Sequence, residues 1–488
     1  MTAILRGQRV RHPAHGDGVV ISMLVGQRAI VSFDDRQGLP RTTPISELVP
    51  VDAGPSPAKT MAKAPRKPRA SKAATATKVK ESGGKIEEQS RASNAPDTKA
   101  SAELKPIDRL IDTRQAMEAI RLGVVPARCA SEYTVGRDEA LKSLGALEKQ
   151  ARGLRILWGN YGSGKTHMLD VIESSALERG IVTARVTLDP TEVPPSHPQR
   201  LFRAIANQIR LPDEAGLGLA SLLEKLVASP EHRTYGGRRA DRFFTPYLWA
   251  RHRGDELASN LIHDYLTGEP TDRDEVHRAL KRTHWRGERL LALSDFRTYG
   301  RLYTYMLGVL ASWAKDAGYR GLMLLLDEVE YVDSLNRENL QMARDVIDHL
   351  AAGALPQSAL TFQADALRRG GHEVHRNLPL HYEADQPLMV ILAATPLEEV
   401  RTELAGRLRD PNLHIELRDL ELEHLAILVT KVLCLYLEAH PDLKLTEANR
   451  QTLYPAIVKA AYTHEHSTRM MVRTVVALCD RLRFLGTV

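Results

Sequence analysis

The chain has 488 residues and a mass of 54.3 kDa, room for roughly two to four domains. With 43% hydrophobic and 26% charged residues it has ordinary globular usage, which excludes a wholly disordered protein, a collagen and a coiled-coil rod. The net charge of +6 is unevenly placed: residues 51–106 hold twelve Lys/Arg against six Asp/Glu, so the rest of the chain sums to zero. The longest apolar run, Leu388 to Ala394, is far short of the ~20 residues that span a bilayer, so no membrane association is expected. Cys129, Cys434 and Cys479 are odd in number and widely spaced. They suggest neither a disulfide framework nor a four-ligand zinc site. The opening MTAILRGQRV carries no apolar stretch of a secretory signal, and a cytoplasmic location is expected.

Residues 1–50 read as a small β-domain. GQRVRHPAHGDGVVISM gives strand, Pro/Gly turn, strand, and Ala29 to Phe33 a third strand after the Gly26–Gln27 turn. A segment this short makes a compact barrel at most. Residues 51–106 switch to Ala, Pro, Lys, Ser and Thr without aromatics, which predicts a disordered basic linker. From 107 to 420 strands and helices alternate, the pattern of a parallel α/β sheet, with a large, mostly helical insertion about 190–300. Past Glu421 the strand signal fades. Leu422, Leu425, Val429 and Val432 share a helical face, and Ile457 and Ala460 continue it, so 421–488 reads as a helical subdomain.

The chemistry concentrates after the strand Leu154 to Trp158. Gly159-Asn160-Tyr161-Gly162-Ser163-Gly164-Lys165-Thr166 matches the phosphate-binding loop in full, between a strand and a helix. The glycines let backbone N–H groups face phosphate oxygens, and the helix N-terminus adds a favourable dipole. Lys165 would reach the β- and γ-phosphates of ATP and Thr166 would bind Mg²⁺. Further on, five apolar residues, Leu322 to Leu326, run into Asp327 and Glu328. Carboxylates at the C-terminal end of a buried strand lie where open α/β sheets bind ligands. Asp327 would hold Mg²⁺ through water and Glu328 would deprotonate the attacking water, with Glu330 as the alternative base; two acids can also simply end a core strand in solvent. A third strand, Met389 to Ala394, ends in Thr395-Pro396, and a hydroxyl there can touch the γ-phosphate or simply open a turn. Near the C-terminus Ser467-Thr468-Arg469 starts a helix, and Arg469 and Arg473 lie one turn apart. Arg407 and Arg409 are weaker candidates for an arginine acting across a subunit boundary, which would require a homo-oligomer.

Loop, acidic pair, Thr395 as first sensor and Arg469, with Arg473 behind it, as second sensor occur in the order found in AAA+ ATPases with a helical lid. The Orc/Cdc6-like branch is the nearest broad comparison. WGNYGSGKTHMLD together with RLFRAIANQIRLPDEAGLGLASLLEKL resembles the ATP-binding proteins of bacterial BREX phage-defence loci, the BrxD-like family, over about residues 107–488. That resemblance implies a P-loop α/β fold and a DNA-associated, Mg²⁺-dependent ATPase working beside a helicase and other defence proteins. A departure from a compact AAA+ core is the 162-residue separation of Lys165 and Asp327, which requires the insertion. GQRVRHPAHGDGVV resembles the Tudor/SH3-like barrels of CarD-type transcription factors and UvrD-type helicases. It implies contact with RNA polymerase or DNA, and an alternative role as a transcription-associated nucleotide switch or adaptor.

Two basic regions bear on DNA. Between Lys59 and Lys80 stand eight basic residues and no acidic one, able to bind phosphates without reading bases or to act as a solubilising spacer. The insertion interleaves Arg233, Arg238, Arg239, Arg242, Arg251 and Arg253 with Tyr235, Phe243, Phe244, Tyr247 and Trp249. Such a set can grip backbone and stack on bases. The commoner fate is aromatics inside and arginines outside.

Overall fold

The computed structural model describes residues 9–13, 16–24, 28–33, 41–44, 49–50, 106–126, 129–214, 216–227, 229, 232, 239–269, 271–370, 376–408, 410–463 and 467–486. The chain divides into two units, Met1–Thr98 and Lys99–Val488. The Lys59–Lys80 run, Arg233, Tyr235, Arg238 and Arg409 lie outside the described residues.

In the first unit β1 (Arg9–His12), β2 (Gly16–Leu24), β3 (Arg28–Phe33), β4 (Arg41–Pro44) and β5 (Val49–Pro50) form an antiparallel sheet in the order β4-β3-β2-β1-β5. That is two strands more than periodicity predicts; β4 and β5 are too short to show alternation. The β2–β3 register shifts between Val20 and Ser22, a bulge that strengthens local twist.

The second unit opens with α1 (Pro106–Leu122), the 3-10 turn Ala130–Tyr133 and α2 (Asp138–Gln150). Then come β6 (Gly153–Gly159), α3 (Lys165–Glu178) and β7 (Val182–Thr187). The insertion supplies α4 (Pro198–Asn207), β8 (Ile209–Arg210), α5 (Leu219–Val227), α6 (Thr245–His252), α7 (Glu256–Thr267) and α8 (Arg273–Arg282). After it come α9 (Gly300–Asp316), β9 (Leu322–Asp327), α10 (Arg337–Ala354), β10 (Leu388–Ala394), α11 (Glu398–Arg407) and β11 (His414–Leu417). Helices α12 (Leu422–Ala439), α13 (Glu447–Thr463) and α14 (Thr468–Leu485) close the chain.

Five strands are parallel, with β8 antiparallel at one edge, in the order β11-β6-β10-β9-β7-β8. Strands β9 and β10 are buried at every residue, which is why they read as unbroken apolar runs. Alternate side chains feed opposite layers. Ile156, Leu324 and Val390 join α4 to α10 on one face, while Leu157, Leu325 and Ile391 meet α2 and α3 on the other. The pairing aligns Ala394 with Trp158 and Leu392 with Leu326. Because β10 lies between β6 and β9, its C-terminal tip falls between the loop after one and the acids ending the other.

The helical bundle has its own hydrophobic cluster, in which Leu425, Val432, Tyr436, Met471 and Val475 meet Ala116, Met117 and Ile120 of α1. Helix α1 precedes the sheet in sequence, and chain order alone places it with the ATPase core. Its apolar stripe instead covers α12 and α14. Arg121 secures it through both Asp480 oxygens at 2.6 and 2.7 Å, and Arg109 reaches Glu438 at 2.5 Å. Truncating a buried Met or Leu in such a cluster costs about 2–5 kcal/mol.

In the insertion, Phe243, Phe244 and Tyr247 are buried. Arg239 pairs with Asp316 at 3.1 Å, Arg242 with Glu288 at 2.7 Å and Arg251 with Glu224 at 2.7 Å. Arg253 lies 4.6 Å over the Trp249 ring. The described part of this Arg/aromatic set is a packed subdomain with its guanidiniums engaged. Among the described residues no helix is long and apolar enough to cross a membrane.

Candidate functional site

Strand β6 delivers the chain to Gly159, and α3 begins six residues later at Lys165. The loop between turns back on itself through Gly162 at φ 84° and Gly164 at φ 98°, a region L side chains avoid. A Cβ on Gly159 would collide with Ser163 Oγ. The free N–H groups of the first turn of α3 thus face a concave loop, the arrangement that holds phosphate.

Lys165 is buried, and its Nζ donates to Gly159 O at 2.9 Å and to Thr395 Oγ1 at 2.8 Å. Thr166 Oγ1 donates to Asp327 Oδ2 at 3.3 Å. The loop, the acidic strand end and the tip of β10 therefore converge. Glu330, in the 3-10 turn Val329–Ser334, accepts a hydrogen bond from Thr395 Oγ1 and lies 3.8 Å from Lys165 Nζ. Burial pushes the Asp327 carboxyl up, and the Arg185 guanidinium, 3.9 Å away, opposes the shift. Glu328 adopts a left-handed backbone at φ 60°, uncommon outside Gly, Asn and Asp. Burial also raises its carboxyl, and the charges of Glu330 and Asp327 add to that. Two hard oxygen donors, Thr166 and Asp327, face each other beside the phosphate loop, the donor type Mg²⁺ takes.

The bundle forms the opposite wall. Ser467 Oγ accepts from Met470 N at 3.4 Å and caps α14. A Cβ on Gly162 would lie 3.2 Å from that oxygen, so the loop and the cap are nearly in contact. The Arg469 guanidinium is 5.8 Å from the Tyr161 ring, and Arg473 approaches Gly123. Between the walls runs an open cleft lined by both the loop and the bundle, with the concave, mixed polar and apolar character of a ligand site. Its polar end is the loop with Glu328, Arg469 and Arg473; its apolar side is Val124, Val125, Val135, Leu420 and Leu428. That combination of a polar loop and an apolar wall is the chemistry a nucleotide needs.

The structure thus brings Gly159 to Thr166, Asp327, Glu328, Thr395 and Arg469 to one cleft or its rim. Arg407 is elsewhere: it pairs with buried Asp348 and lies 3.7 Å from Glu403.

Sequence reasoning missed three supports. Arg137, buried, donates to Ser163 O at 2.7 Å and Arg418 O at 2.6 Å, tying the loop to the end of β11. Arg185 bridges Asp170 at 2.7 Å and Asp327. His167 Nε2 lies 2.7 Å from Thr134 Oγ1 and its ring 4.7 Å from that of Tyr133. Burial depresses this imidazole to about 4, so it is neutral at pH 7. The available signal was Arg137 at the N-cap of α2, where Ser, Thr, Asp or Asn normally stands.

A family model described as BREX system ATP-binding protein BrxC/D matches residues 110–244 and 242–381. The matched span contains the phosphate loop, Asp327 and Glu328 and ends before Thr395 and Arg469. No curated protein and no solved structure matches.

Proposed function

The chain belongs to the BrxC/D family of BREX system ATP-binding proteins, and from that premise we propose that it hydrolyses ATP in a Mg²⁺-dependent AAA+ site. Membership makes it a component of a bacterial phage-defence system with other defence proteins as partners. The observation that carries the hydrolytic reading is the convergence on Lys165: its ammonium binds Thr395 at 2.8 Å while its neighbour Thr166 reaches Asp327 at 3.3 Å. A phosphate-binding turn that served only as structure would need neither the acid nor the hydroxyl.

In this reading the loop N–H groups and Lys165 bind the β- and γ-phosphates. Thr166, and Asp327 through water, would hold Mg²⁺, which would supply charge neutralisation to the phosphates. Glu328 takes a proton from the attacking water, Thr395 orients the γ-phosphate region, and Arg469 approaches from α14 as the lid closes. Non-specific duplex DNA, held by the basic run Lys59 to Lys80, is the proposed nucleic-acid partner. Phosphate release by wild type and Lys165→Ala, with and without duplex DNA, tests both parts. Equal rates for the two proteins would remove the site. A wild-type rate indifferent to DNA would leave a nucleotide-dependent switch.

A further inference from the structure

Glu330 lies two residues past the acidic pair and has no role in the scheme above, yet it is built into the site. Its side chain is only 12% exposed. Oε1 accepts from Thr395 Oγ1, the same hydroxyl that receives a hydrogen bond from Lys165 Nζ. The carboxylate is therefore one hydroxyl away from the ammonium that would reach the γ-phosphate. Oε2 is buried and has no hydrogen-bond partner. A buried carboxylate oxygen left without a donor is costly, so the working site should bring one. The Glu328 carboxylate lies close enough to Glu330 to feel its charge, and two acceptor groups side by side suit water, which has two donors. An acid in the first turn of a short helix is also favourable for its own sake, but that role requires neither a bond to Thr395 nor a bare buried oxygen.

We propose that Glu330 is a second water-binding carboxylate of the hydrolytic site, its Oε2 accepting from the water that Glu328 deprotonates. This rests on the ATPase reading. The water oxygen bonds to the γ-phosphorus as the bond to the β–γ bridging oxygen breaks, and ADP leaves with that electron pair. One water proton passes to Glu328 and then to the phosphate released. Thr395, by fixing Oε1, aims Oε2, and so is a positioning residue for Glu330 as well as a phosphate contact.

The test is single-turnover hydrolysis of Mg·ATP and equilibrium Mg·ATP binding by the full chain, wild type beside Glu330→Gln, Glu330→Asp and Thr395→Val. Glu330→Gln keeps an acceptor for Thr395 but cannot offer two carboxylate oxygens. Its hydrolysis should fall roughly 30-fold or more, with ATP affinity moved less than about threefold, while Glu330→Asp restores part of the rate. Thr395→Val should lose rate in the same direction. A Glu330 that only supports the fold would weaken binding and lower the melting temperature together. The inference is overturned alone if Glu330→Gln turns over within threefold of an active wild type, or if weaker binding accounts for all the lost rate. If wild type itself releases no phosphate, the ATPase reading fails and this inference goes with it.

Discussion

The insertion and the lid both set arginines beside aromatic rings, and the structure uses them in opposite ways. In the insertion Arg242 and Arg251 each meet a carboxylate at 2.7 Å, and Phe243, Phe244 and Tyr247 are buried. At the lid Arg469 lies 5.8 Å from Tyr161, a ring 78% exposed at the mouth of the cleft. Arg469 has no carboxylate partner among the described residues. A guanidinium whose charge is already matched has little to offer a ligand. One left unmatched beside a phosphate-binding loop keeps its charge available. Ion pairing, more than residue type, therefore separates packing arginines from candidate binding ones.

That contrast depends on the cleft being a hydrolytic nucleotide site, so the largest expected effects test the cleft. Glu328→Gln preserves shape and removes the base. Phosphate release should fall by about 10²–10⁴-fold with Mg·ATP binding kept, read by steady-state turnover beside equilibrium titration. Normal turnover would move the base to Glu330 or another residue. Next, Lys165→Ala removes a charge-assisted contact to phosphate. A loss of about 1.5–3 kcal/mol, roughly 10- to 150-fold in ATP affinity, is expected from a folded variant. Unchanged affinity with an intact circular dichroism spectrum would remove the loop from the site.

The parts of the site that were legible in the sequence are contiguous: eight residues from Gly159 to Thr166, and an apolar run ending in Asp327-Glu328. A strand buried on both faces announces itself by an unbroken apolar run, so β9 and β10 were readable too. What escaped depends on contacts made across the fold. Glu330 meets Thr395 over 65 residues, and Arg137 meets Arg418 over 281; no local periodicity encodes either. Helix α1 was readable as a helix, but its partners, α12 and α14, are more than 300 residues away. Chain order assigned it to the sheet because an apolar stripe does not say which surface it covers. In the insertion both fates of the arginines were open in sequence, and Glu224 and Glu288 decided between them from other elements.

The basic run Lys59 to Lys80 extends the contrast beyond the described residues. With Arg239, Arg242 and Arg251 of the insertion paired with acids, the net excess of positive charge lies in residues 51–106. Neutralising the eight basic residues should weaken duplex binding. It should also flatten the dependence of log affinity on log salt by about 0.9 for each phosphate no longer neutralised. Basal turnover should stay unchanged. Fluorescence anisotropy at several salt concentrations reads the slope, and equal slopes would show that these residues do not hold DNA.

The smallest expected effect is the most direct test of the comparison itself. Arg469→Ala and Arg251→Ala each delete one guanidinium near an aromatic ring. Arg469 has no acidic partner among the described residues and lies at the cleft rim beside Tyr161, so its loss should not change the melting temperature. It should weaken ATP binding or slow hydrolysis by a few-fold, about 1 kcal/mol, because one cation near the phosphates is gone. Arg251 is one-third exposed and Glu224 41% exposed. Solvent screens the pair, and its removal should cost only about 0.2–1 kcal/mol of stability. Some of that loss would come from Glu224, which also accepts from Tyr247 Oη at 2.7 Å and would be left with one partner instead of two. ATP affinity and turnover of Arg251→Ala should match wild type. Thermal melts and nucleotide titrations on the two variants separate the cases. A nucleotide defect in Arg251→Ala, or a stability defect without one in Arg469→Ala, would reverse the assignment of roles.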